Sequence, residues 1–171
     1  MQDTQPDLQE QTQEENQRNN RFQTILKNLR IIFRSSQAHS RWVEKELGLS
    51  AGQLWMMWEL FNEPGLTVSG LAKKMTIHQS TCSNLLDKIQ KKELIYRDRN
   101  SDDQRLVRLY LTDKGTQLLA RAPRPAQGIL TDTLLSLQDE ALDELESGLD
   151  SFVSALKIKN REAGMVPISE E

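Results

Sequence analysis

The chain has 171 residues, 27% of them charged and 37% hydrophobic, with a formal net charge of −3 and one cysteine. That length allows one domain with a proper core, or a small domain with helical extensions, and excludes two large domains. No apolar run approaches the roughly 18 residues of a membrane span, no secretory pattern follows Met1 and a lone cysteine closes no internal disulfide, so a cytoplasmic protein without membrane contact is expected.

Residues 1–20, rich in Gln and Glu, carry too few apolar side chains to offset the entropy of ordering them, which predicts a disordered arm. From Arg21 onward Phe22, Ile25, Leu29 and Ile32 follow a three-four-three spacing, with Leu26 and Phe33 widening the stripe. This predicts a helix over 21–48 with a face made for another helix. Gly48-Leu49 ends it, and Ser50-Ala51-Gly52-Gln53 reads as a capping box opening the next helix. That helix carries Leu54, Met57, Trp58, Leu60 and Phe61 and stops at Asn62-Glu63-Pro64-Gly65.

Thr67 is placed to cap a third, short helix with Val68, Leu71, Ala72 and Met75 on one face. Only Thr76, Ile77 and His78 separate it from a fourth, a gap that forces a sharp crossing. In this fourth helix Cys82, Leu85, Leu86 and Ile89 recur at i, i+3, i+4 and i+7 and predict a buried face. The opposite side presents Ser80, Ser83, Asn84, Asp87, Lys88 and Lys91, with Gln79 at its N-terminal edge. Amides and hydroxyls first, cations later, is the order a helix needs in a DNA major groove, where its N-terminal side chains reach base edges. A plainly solvated helix face has the same appearance.

Leu94 to Asp98 and Leu106 to Leu111 are β-prone runs about a polar tip, and predict a hairpin in which Val107, Leu109 and Leu111 share one face. Thr112 is placed to cap the helix that follows, and Pro123 and Pro125 break the chain after it. Beyond Ser136, Leu142, Leu145, Leu149, Phe152 and Leu156 form a second apolar seam. Thr131 to Asp150 holds seven acidic and no basic residues, so this part is not expected on DNA, whereas Lys73 to Arg108 holds nine Lys/Arg against five Asp/Glu. The expected fold is mainly α with a small β wing: a winged helix-turn-helix over 49–115, dimerisation helices over 21–48 and 116–160, and a flexible tail over 161–171.

Leu71-Ala72, Ser80-Thr81-x-Ser83, Leu94-Ile95-x-Arg97, Asp103-Gln104-Arg105 and Leu111-Thr112-x-Lys114-Gly115, in this register, resemble the multiple-antibiotic-resistance regulator (MarR) family. The motifs cover Thr67 to Gly115, and helical flanks extend the likeness from about Arg21 to Asn160. The chain departs from the family pattern at Gly70, His78, Cys82 and Gln104. The resemblance implies a homodimeric transcriptional regulator of double-stranded DNA, a repressor released by a small ligand. Gln79, Ser80, Ser83 and Asn84 would then face bases, Thr81 and Lys88 phosphates, and Arg105 the minor groove, with Asp103 supporting it.

The resemblance also implies a pocket for an aromatic or phenolic effector, for which His39, Arg41, Trp42, Trp55 and Trp58 are candidates beside plain core packing. Arg34 is a further candidate cation for that pocket. Cys82 is a redox candidate, although on a buried face a cysteine behaves as a small hydrophobe. His78 and Cys82 lie one turn apart, but with only His39 as a further strong nitrogen or sulfur ligand no metal site is expected. No nucleophile, base and orienting group gather at recognisable spacing, so neither an enzyme nor a cofactor is expected. The reading of another class is a winged-helix module that binds protein without reading DNA.

Overall fold

The computed structural model describes residues 5–99, 107–156 and 164–168. Residues up to Ser35 form one compact unit and those from Ser36 a second. Helix α1, Gln5–Leu47, starts well before the expected Arg21, so the arm predicted to be disordered is helical from Gln5. Gln, Glu and Arg lose little rotamer freedom in a helix, so a segment too polar to pack is still able to coil. From Thr12 to Asn20 every side chain is exposed. Within the first unit Phe22, Ile25, Ile31, Ile32 and Phe33 are exposed as well.

The second unit holds the core. Gly48, with a φ of 63°, ends α1 in the left-handed conformation that glycine adopts without strain. The capping box then forms as the sequence predicts: Gln53 N–H donates to Ser50 Oγ at 3.3 Å, and Ser50 N–H donates to Gln53 Oε1 at 3.1 Å. Helix α2, Ala51–Asn62, buries Leu54, Met56, Met57 and Leu60. Met56 adds to the anticipated core, while Phe61 lies exposed and stacks on Trp58 at 6.0 Å. An α2 apolar around most of its girth suits the centre of the unit, and it touches α3 (Val68–Lys74), α4 (Gln79–Lys91), strand β2 (Arg108–Leu111) and α5 (Asp113–Ala120).

Strands β1 (Ile95–Asp98) and β2 pair antiparallel, with Ile95 opposite Leu111 and Asp98 opposite Arg108. The ribbon is rooted on its other side too, since Gly65 N–H donates to the Leu109 carbonyl at 2.9 Å and Leu109 N–H to the Leu66 carbonyl at 3.0 Å. Thr112 caps α5 by accepting from Gly115 N–H at 3.0 Å. Gly115 itself is dictated by contact, because a Cβ there would collide with the Leu94 carbonyl oxygen. The chain breaks after α5 and resumes as α6, Ile129–Ser136, and α7, Asp139–Ala155, neither of which buries a residue. Leu142, Leu145, Leu149, Phe152 and Leu156 all remain exposed.

The tail differs from expectation. Residues 164–168 are docked: Pro167 is buried and the Met165 carbonyl accepts from His78 N–H at 3.1 Å. Val166, Pro167 and Ile168 are apolar, and a proline enters such a contact with part of its backbone freedom already lost. Among the described residues no helix is long and apolar enough to cross a membrane.

Candidate nucleic-acid interface

Helices α3 and α4 are built for a close crossing. Thr67 Oγ1 accepts from Gly70 N–H at 3.1 Å and starts α3, whose Leu71 and Ala72 are buried. Between the helices Thr76 takes a φ of 54°, an unusual conformation for a β-branched residue. Two bonds hold the turn around it, Thr76 N–H to the Lys73 carbonyl at 3.1 Å and Ile77 N–H to the Ala72 carbonyl at 3.0 Å. His78, one of the departures from the family pattern, stands at the N-cap of α4 and its side chain makes no capping bond.

The two faces of α4 separate as its spacing demands. Cys82, Leu85, Leu86 and Ile89 are at most 1% exposed. Gln79, Ser80, Asn84, Asp87, Lys88 and Lys91 are exposed, whereas Thr81 and Ser83 are half-buried at the edges of that face. The helix thus presents two amides and a hydroxyl near its start and two lysines in its last turn. Asp87, the one carboxylate among them, is held by Arg97 of β1, whose Nη2 lies 2.7 Å from Asp87 Oδ1. Sequence reading missed this pair because its members belong to different elements. Arg105, Gln104 and Asp103 lie outside the described residues.

Cys82 has its sulfur 3.6 Å from the Val68 carbonyl oxygen, to which its thiol donates. Burial pushes its pKa up to about 11. The thiol therefore stays protonated at neutral pH, a poor state for the redox role considered above.

A cavity of about 370 Å³ lies behind the helix-turn-helix, lined among others by Ser36, His39, Trp55, Thr76, Ile77 and Pro167. Of the aromatic and basic candidates His39 and Trp55 line it; Arg41, Trp42 and Trp58 do not, and neither does Arg34. Trp42 meets His39 edge to face at 6.1 Å, and Trp58 is covered by the Arg124 guanidinium at 4.2 Å from its ring centre. Trp55 donates from Nε1 to Glu59 Oε1 at 2.8 Å. Burial lowers the His39 pKa, and a hydrogen bond to the Pro125 backbone opposes the shift. His39 is thus disfavoured as the cation that an anionic effector would want. The part played by Thr76, Ile77 and residues 164–168 in this cavity had no local sequence signal.

A short helix, a tight turn, a second helix buried on one face and polar on the other, and an antiparallel ribbon behind it define a winged helix-turn-helix. The MarR family profile matches residues 49–107. The chain is 27% identical over 135 residues to YsmB of Bacillus subtilis, an HTH-type transcriptional regulator, covering 79% of this chain and 92% of that one. It is 30% identical over 91 residues to the Bacillus subtilis transcriptional repressor MdtR, covering 53% of this chain and 59% of that one. Among solved structures it superposes on Staphylococcus aureus MepR in complex with DNA with a TM-score of 0.53 at 25% identity, covering 80% of this chain and 95% of MepR. The chain is therefore similar to MarR-family transcriptional regulators, in sequence over residues 49–107 and in fold.

Proposed function

We propose that the protein is a sequence-specific repressor that binds a palindromic operator as a homodimer, α4 in the major groove, and is released by a small ligand. The observation that carries this reading is the division of α4: its four apolar side chains are consumed by the core, and an amide-rich face followed by lysines is left outward. MdtR, similar over part of its length, is a repressor, and MepR has been crystallised on DNA. Dimerisation is supported by the exposed apolar side chains of Phe22, Ile25, Ile32 and Phe33 and, separately, of Leu142, Leu145, Leu149, Phe152 and Leu156, a kind of surface that marks interaction sites. Ligand response is supported by the cavity beside Thr76 and Ile77, which belong to the turn that aims α4.

Selection from a random DNA pool by the purified protein tests the reading. Enrichment of a palindrome with half-sites about one helical turn, roughly 34 Å, apart is expected. Asn84→Ala should then relax preference at one position, at about 1–3 kcal/mol against the favoured base. Binding that is indifferent to sequence, or absent, would favour the protein-interaction module instead. Arg105→Ala should weaken operators with A·T-rich flanks most if this arginine enters a narrowed minor groove.

A further inference from the structure

Residues 164–168 lie outside the helix-turn-helix and the ribbon and yet touch the start of α4. Met165 accepts the backbone N–H of His78, the residue from which α4 starts. Gly164, Val166, Pro167 and Ile168 line the same cavity as Met75, Thr76 and Ile77. The turn needs such help. Thr76 holds a left-handed φ that surrounding structure must impose, and the His78 side chain leaves the start of α4 uncapped.

We infer that Gly164–Ile168 is an intramolecular strap that sets the N-terminal turn of the recognition helix in its DNA-binding position, and that release of the strap weakens DNA binding without unfolding the domain. This regulation rests on the DNA-binding reading above. The direction follows from what the strap covers. With it docked, Gln79, Ser80, Asn84 and Lys88 stay exposed, so it does not mask the reading face. It constrains the turn that carries that face, and a turn ordered in advance loses less freedom on binding.

Release is a local event because the attachment is slight. Among the described residues one backbone hydrogen bond and one buried proline hold the segment, while Val166 and Ile168 are 37% and 67% exposed. Regions with so few buried contacts open at a small fraction of the global stability. The core contributed by Leu85, Leu86 and Ile89 does not depend on it.

Pro167→Asp in the full-length protein places a carboxylate where the proline is buried and should eject the strap. Amide hydrogen exchange is expected to be at least about tenfold faster at His78, with Leu86 and Ile89 as protected as before. Affinity for the selected operator should fall roughly fivefold, the size of one net backbone hydrogen bond, with the base preference unchanged. Pro167→Gly, which adds chain freedom without charge, should move both readouts less and in the same direction. A synthetic peptide Gly-Met-Val-Pro-Ile-Ser, added to the Pro167→Asp protein, should slow exchange at His78 again, and the same peptide with Asp for Pro should not.

Unchanged exchange at His78 in both variants overturns the strap. A rise in operator affinity overturns its sign and makes the segment inhibitory. A wild-type protein without any DNA preference overturns the regulator reading and the coupling with it; a His78 response that persists in that case separates this failure from failure of the strap.

Discussion

Helices α4 and α7 carry apolar side chains at the same three-and-four spacing and end in opposite states. In α4 Cys82, Leu85, Leu86 and Ile89 are sealed inside the second unit, whereas Leu142, Leu145, Leu149 and Phe152 of α7 and Leu156 at its C-cap are 38–48% exposed. Periodicity therefore reports that a face exists and leaves open what fills it. For α4 the filling comes from α2, α3 and β1 of the same chain. For α7 the apolar face stays exposed, and a second copy of the chain is the partner proposed above.

The widest test of that contrast is to charge the exposed face. Leu149→Glu combined with Phe152→Glu should leave the monomer fold intact, because neither side chain is buried, and should abolish both dimer formation and operator binding. Sedimentation would check the first and a binding titration the second. A double variant that remains dimeric would mean that α7 is not the seam.

A smaller effect is expected from loading the sealed side. Gly115→Ala pushes a methyl group into the Leu94 carbonyl at the root of the ribbon and should cost about 1–3 kcal/mol, as overpacking does. Urea unfolding of the two proteins would measure it. Equal stability would show that the ribbon shifts freely against α5.

The smallest concerns the thiol inside α4. Its pKa is raised on folding, so above the ordinary cysteine range the unfolded chain ionises first and gains free energy that the folded chain does not. The wild-type protein should thus lose stability relative to Cys82→Ala as pH rises from about 9 to about 11. Parallel stability curves across that window would mean that water reaches the sulfur.

The caps at Ser50, Thr67 and Thr112 and the two faces of α4 were legible because each is settled by residues within about one or two turns of one another. Gly115 was legible only through the family motif; its cause, the Leu94 carbonyl, lies across a strand. What stayed hidden depends on distant partners. Asp87 looked like part of a DNA-facing surface until Arg97 was seen to hold it. Arg41, Trp42 and Trp58 share a short span with His39 and Trp55, but helical rotation sends only the last two to the cavity. The docking of Met165 on His78 joins residues far apart in sequence, and no local pattern encodes it. The helical arm was misjudged for another reason: poverty in apolar residues forbids packing and says little about helix propensity.

The ion pair between Arg97 and Asp87 also bears on how the protein would respond to ionic strength. Each phosphate neutralised on duplex DNA sets free condensed counterions, and the logarithm of the binding constant falls by about 0.9 per phosphate for each logarithmic step in salt. A count of nine basic residues between Lys73 and Arg108 suggests a steep dependence. Among the described residues at least two of these are already matched within the chain, Arg97 by Asp87 and Lys74 by Glu63 at 2.9 Å and Glu59 at 3.5 Å. Such cations release fewer ions from DNA than their formal charge implies. Affinity should therefore decline with salt more gently than the basic residues alone would dictate, and a larger share of it would survive at physiological ionic strength.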